Sequence, residues 1–185
     1  MKRSHLAREI IETIALTLLI FGVIRFAVQN YLVDGTSMSP GLKNNEYVLV
    51  NKMAYLFHGP QRGDIIVFHW PQDTNKDLIK RVIGLPGDVI STDSTSVRVN
   101  GVLLNEPYLP HINGPANPTA SVWKIGPNQY FVMGDNRQSS DDSRSWGTVP
   151  RNFIVGKAVM VYWPLSNWQI INTYPAVYAL IKPSQ

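Results

Sequence analysis

The chain has 185 residues, enough for one domain with a sizeable core and a small appendage. Hydrophobic residues make up 44% and charged residues only 16%, a low charge fraction that points to a membrane segment. The net charge of +4 is too mild, and the basic residues too evenly spread, for a nucleic-acid reader; with no cysteine, thiol catalysis, disulfides and thiolate metal sites are excluded.

The chain opens with MKRSHLAREIIETIALTLLIFGVIRFAVQNYLV. Thr13 to Ile24 carries no charge, and Arg25 breaks the run before Phe26, Ala27 and Val28. Counted from Ile10 to Val28, the length suits a membrane-spanning helix, with Glu12 and Arg25 near its ends, where long side chains reach the interface. A cleaved secretory signal and a surface amphipathic helix are the competing readings. No small-x-small cleavage site follows the run, and Arg25 interrupts it, which favours an uncleaved anchor. The expected organisation is a cytoplasmic N-terminus over 1–9, a transmembrane anchor over 10–30 and an extracytoplasmic domain over 31–185. Lys2, Arg3 and Arg8 set that orientation through the positive-inside rule.

Next comes VDGTSMSPGL (33–42). Gly35 allows a tight turn with positive φ, and Pro40 stiffens the exit. A serine on such a turn can present its hydroxyl and its own N–H towards one point, supplying a nucleophile and an oxyanion donor. Alone, Ser37 reads better as an ordinary turn serine, because serine is common in turns.

Short β-branched or aromatic runs follow: EYVLVNK (46–52), DIIVFHW (64–70) and LIKRVIG (78–84), the last closed by LPGD. VRVNGVLL (97–104) carries Asn100-Gly101 between apolar alternations, a hairpin signal. LPHINGPANPTASV (109–122) is rich in Pro, Gly and Asn and reads as a surface loop. NQYFVMG (128–134) and FIVGKAVMVYW (153–163) complete a mostly-β domain behind one membrane helix.

In LIKRVIG, strand periodicity puts Leu78, Lys80 and Val82 on one face. Burial among apolar neighbours disfavours an ammonium and lowers a lysine pKa, which makes a general base near neutral pH. The plainer reading is a lysine snorkelling from an edge strand. GDNRQSSDDSRSWG (134–147) reads as a solvated loop or as a polar network that positions active-site groups. Its spacing does not match a calcium loop ending in Glu. The four histidines, His5, His58, His69 and His111, lie in no motif with an Asp partner, and no HExxH motif occurs, so neither a Ser-His-Asp triad nor a zinc protease of that type is supported. A Ser–Lys dyad is the remaining hydrolytic option. No metal and no cofactor is expected.

Four stretches, VDGTSMSPGL, RGDIIVF (62–68), LIKRVIGLPGD (78–88) and GDNRQSSDDSRSWGTVP (134–150), together resemble the bacterial Ser–Lys type I signal peptidases, in that family's order. The resemblance implies a signal-peptidase-like β-fold and a membrane-bound serine endopeptidase that removes signal peptides from exported preproteins. It implies Ser37 as nucleophile, its N–H as an oxyanion donor, and Lys80 as general base for acylation and deacylation. Ser140 would hydrogen-bond and orient the lysine. Asp142 and Arg144 would stabilise the site, with Asp135 and Arg81 as structural members. Tyr31, Val33, Met38, Leu42, Val67, Leu78 and Ile79 would line shallow pockets for small side chains at the −1 and −3 positions of the preprotein.

Two positions and one segment depart from the family pattern. Gly35 stands where some members place a serine that assists the oxyanion hole, Gln138 replaces a common acidic residue, and the insertion around 92–127 is short. A self-cleaving Ser–Lys protease and a non-catalytic, membrane-tethered peptide-binding domain are the alternatives. The late aromatics Trp163, Trp168, Tyr174 and Tyr178 raise the further expectation that the domain touches the lipid bilayer.

Overall fold

The computed structural model describes residues 2–93, 96–110 and 120–182. His111 and most of the expected surface loop at 109–122 lie outside them. Helix α1 runs from Lys2 to Ala27, and its Arg8–Ala27 portion is a 20-residue span of mean hydropathy 2.1 with none of it buried against the rest of the protein. The hydroxyls of Thr13 and Thr17 donate back to the carbonyls of Glu9 and Thr13 at 2.8 Å, which satisfies them within the apolar stretch.

Strand β1 (Val28–Leu32) begins at the next residue, with nothing between. The expected anchor to residue 30 therefore overruns the helix. Gln29 and Asn30 suit no apolar span, and their backbones pair instead with Val50 and Leu49. The junction is tied a second time, because the Lys52 N–H donates to the Ala27 carbonyl at 2.9 Å.

The remaining strands, in chain order, are β2 (Tyr47–Asn51), β3 (Ile65–Trp70), β4 (Asp73–Gly84), β5 (Val89–Thr92), β6 (Val97–Val99), β7 (Val102–Leu103), β8 (Ser121–Lys124), β9 (Gln129–Met133), β10 (Val149–Pro150), β11 (Ile154–Trp163) and β12 (Gln169–Ile170). Helices α2 (Ser143–Trp146) and α3 (Pro175–Tyr178) are single turns. The larger sheet is antiparallel, in the order β1-β2-β11-β3-β4-β9-β10, with β12 paired to β11. The smaller sheet has the order β7-β6-β5-β8. The protein is mostly β, and each run named from the sequence forms a strand or hairpin.

The described part of the 92–127 insertion is not a loose appendage. β6, β7 and β8 build a sheet on β5, and Ile90, Val97 and Val99 share a core with Ile83, Phe131 and Met133 of the larger sheet. Asn100 (φ 51°) and Gly101 (φ 81°) form the expected hairpin turn. β4 serves two cores at once: Val82 packs with Phe68 and Val132, and Ile83 with Phe131 and Met133. Lys80 sits two residues earlier on this doubly buried strand.

Candidate active site

The loop leaving β1 is folded by its own polar atoms. Gly35 takes φ +94° and donates its N–H to Asn44 Oδ1 at 2.8 Å. Leu42 N–H closes a turn on the Met38 carbonyl at 2.9 Å, and Asn45 N–H returns to Val33. Glu46, fully buried, accepts from Lys43 N–H and from Asn167 Nδ2. A rigid loop results, with Ser37 half-buried on its inner side and Met38 and Leu42 driven into the core beside Val48 and Val67.

Lys80 meets this loop from β4. Its Nζ lies 2.9 Å from Ser37 Oγ and donates to the Ile79 carbonyl at 3.1 Å. Lys80 is 4% exposed, and burial lowers its pKa from 10.5 to about 8, against the carboxylates of Asp142, Asp141 and Asp135, which favour the charged form. Serine and lysine, 43 residues apart in the chain, thus share one hydrogen bond. The Ser37 N–H is spent on no internal bond among the described residues, while the Ser37 carbonyl accepts from Asn136 N–H at 2.9 Å.

The 134–147 segment braces both groups. Asp142 receives Arg144 Nε and Nη2 on its two oxygens at 2.8 Å, together with the Gly134 N–H at 2.9 Å. Burial would raise this carboxyl, but Arg144 and the Gly134 N–H outweigh it and hold it below the usual range. Arg81 and Asp135, both buried, form a bidentate pair at 2.7–2.8 Å, and the Arg81 guanidinium carbon sits over the Tyr108 ring, 4.2 Å from its centroid. Gly134 is required, because a Cβ there would overlap Ser140 and the Ser37 carbonyl oxygen.

Ser140 is brought close, but not into the role the resemblance implies. Lys80 makes its bonds to Ser37 and Ile79, and Ser140 Oγ is buried with no partner in hydrogen-bond geometry. It lies near enough to Asp142 to help keep that carboxyl charged.

A cleft of about 310 Å³ opens beside the pair. Tyr31, Val33, Val67, Leu78 and Ile79, five of the expected pocket residues, line it. Met38 and Leu42 do not, because their side chains are needed in the core under the turn. Asp34, Val48, Trp70, Lys76, Asp77 and Asp141 also line the cleft and were not foreseen. Nor was Asn136, which ties down the Ser37 turn from inside the GDNR stretch; its position between Asp135 and Arg137 in that motif was the available signal.

One histidine does gain an acidic partner. The β3–β4 register sets His69 opposite Asp77, and His69 Nδ1 lies 2.6 Å from Asp77 Oδ1. The other Asp77 oxygen accepts from Tyr31 OH at 3.0 Å, so this carboxylate bridges the two walls of the cleft. His69 itself is not among the cleft-lining residues, and Ser37 bonds to Lys80, so the pair does not make a triad with Ser37.

Residues 7–163 match the family described as signal peptidase, peptidase S26. Signal peptidase I of Leptolyngbya laminosa is 38% identical over 166 residues, covering 85% of this chain and 80% of that protein. Signal peptidase IB of Staphylococcus aureus is 36% identical over 184 residues, covering 90% and 94%. A crystal structure of a signal peptidase I from Enterococcus faecalis V583 is 33% identical, covers 54% of this chain and 97% of that one, and superposes with a TM-score of 0.49. The matched span takes in the serine turn, the lysine strand and the bracing loop, and the chain belongs to the signal peptidase family, peptidase S26, a family of serine-peptidase hydrolases.

Proposed function

We propose that the protein removes signal peptides from exported preproteins through a Ser37–Lys80 dyad. The 2.9 Å contact between Ser37 Oγ and a buried Lys80 carries the reading. Neutral Lys80 takes the Ser37 proton as Oγ attacks the scissile carbonyl carbon, and the Ser37 N–H stabilises the oxyanion. The lysine ammonium then passes its proton to the leaving amine. Neutral again, Lys80 takes a proton from water as that water attacks the ester, and Ser37 recovers its proton when the acyl group leaves. Asp142–Arg144 and Arg81–Asp135 hold the two halves in register. The apolar cleft walls favour small side chains at the −1 and −3 positions.

The pH dependence tests this reading. Only the neutral amine acts as base, so kcat/KM should rise through about pH 8 and level off above it. Asp141 is exposed and favours the ammonium, so Asp141→Asn should move that limb down by about 0.5 pH unit. A limb near the ordinary lysine value, unmoved by Asp141→Asn, would count against the dyad. Incubation without substrate separates the self-cleaving alternative, which requires fragments of the enzyme itself.

The anchor reading of α1 places the N-terminus in the cytoplasm and the domain on the outer face of the cytoplasmic membrane. Of the four late aromatics, Tyr178 is core, whereas Trp163 (52%) and Trp168 (55%) are exposed, as are Leu32, Leu165 and Ile170. This face rests on the bilayer. In vesicles, nitroxide-bearing lipid should quench tryptophan emission, and Trp163→Phe/Trp168→Phe should remove the quenchable part; an unchanged response would sink the contact.

A further inference from the structure

Apolar surface is exposed at a second place, at the other end of β2. The loop that follows β2 reads KMAYLFHG (52–59), and Met53 is 40%, Leu56 58% and Phe57 96% exposed. Such a run at a loop tip is costly in water and calls for a covering partner.

The loop is built to hold these side chains out. Tyr55, between them, is buried and donates its hydroxyl to Asp64 at 2.9 Å. Its carbonyl accepts from Arg151 Nη2 at 2.6 Å, and the Arg151 guanidinium lies 5.5 Å from its ring. Met53 N–H bonds Asn51 Oδ1, and Leu56 N–H bonds the Met53 carbonyl. With Tyr55 turned inward on a fixed turn, Leu56 and Phe57 point away from the core.

The position of the loop names its partner. Lys52, the residue before Met53, donates its N–H to the carbonyl of Ala27, the last residue of the apolar span. The loop is thereby fixed at the level where α1 ends, and this junction carries two exposed cations, Lys52 at the start of the loop and Arg25 two residues before Ala27. Apolar side chains next to cations, at the end of a spanning helix, match the boundary between acyl chains and anionic headgroups.

We propose that the 53–57 loop inserts Leu56 and Phe57 into the lipid bilayer beside the anchor, as a foothold distinct from the Trp163 face. This rests on the reading of α1 as an anchor, and it gives the domain two points of attachment that fix the tilt of the cleft over the membrane. Met53 lies at the rim, and Lys52 reaches the phosphates.

The chain lacks cysteine, so single replacements give unique labelling sites. Full-length Phe57→Cys, Ile20→Cys and Val122→Cys variants would carry an environment-sensitive fluorophore in protein-free phosphatidylcholine–phosphatidylglycerol vesicles. Val122, 70% exposed on the smaller sheet, is the control. Expected are quenching at Ile20 by deep nitroxide lipid, quenching at Phe57 by shallow nitroxide lipid, and none at Val122. Quenching at Ile20 without Phe57 overturns the foothold and leaves the anchor standing; quenching at neither overturns both. In a second arm, Leu56→Ser/Phe57→Ser should slow cleavage of a vesicle-inserted preprotein about tenfold while sparing a short soluble peptide. Equal loss on both substrates would mean a damaged fold and would refute the proposal.

Discussion

Lys80→Met should yield an enzyme that is inactive yet more stable near neutral pH. Methionine keeps the volume and the apolar stem but removes the base, so kcat should fall by about 10⁴-fold. Ser37→Ala should fall as far, and the double variant little further, because the two groups act as one unit. Stability separates them. The lowering of the lysine pKa from 10.5 to about 8 corresponds to about 3 kcal/mol of disfavour for the buried ammonium. Below pH 8 the lysine is protonated in both folded and unfolded chains, and the full cost is felt. Between pH 8 and 10.5 the folded chain gives up the proton while the unfolded chain keeps it, so the cost disappears as pH rises. Lys80→Met should therefore melt above wild type at pH 7, with the gap closing by pH 10. A variant melting below wild type at pH 7, or retaining activity, would contradict the role given to Lys80. On the dyad reading, stability is given up here so that the amine beside the hydroxyl loses its proton from about pH 8 and not from 10.5.

Asp135→Asn should be the most destabilising single change near the site. It leaves Arg81, 2% exposed, without its counter-charge, and breaking a buried pair in this way costs about 3–5 kcal/mol. For a chain of this size the melting temperature should drop by about 10 °C, measured by calorimetry. Arg81 also bonds the carbonyls of Gly63 and Asn172, so the damage should spread to the segment after β11. Replacing both partners, as Arg81→Met/Asp135→Leu, should recover much of the loss, because the uncompensated charge is then gone. If Asp135→Asn melted like wild type, the pair would not be a brace for β4.

The parts of this molecule that were legible in its sequence are those set by local rules. Alternation in LIKRVIG placed Lys80 among apolar neighbours, and the fold buries it there between Leu78 and Val82. Asn100-Gly101 specified its own hairpin. Cleft walls are a different matter. Asp34 and Asp77 come together only because the segment after β1 faces β4 across several intervening strands, an arrangement no short window encodes. His69 meets Asp77 through a tight turn at Pro71 and Gln72, which also carries β4 back to Asp73, well before the apolar run that marks it in sequence. Met38 and Leu42 were misread for the opposite reason. Proximity to Ser37 suggested the pocket, but a turn this tight needs apolar side chains beneath it.

The direct passage from α1 into β1 has a consequence for traffic in the plane of the membrane. Five strand residues at roughly 3.4 Å each carry the chain about 17 Å from Ala27 towards the cleft. If α1 is an anchor, with the loop after β2 and the Trp163 face both seated on the bilayer as proposed, that distance is lateral. A membrane-spanning helix with its side chains is about 10–12 Å across. One additional helix would then fit in the bilayer alongside α1, beneath the cleft mouth. On that reading the strand would act as a spacer that reserves a berth for the incoming chain's own apolar segment, and an arriving preprotein would meet Ser37 without first displacing α1.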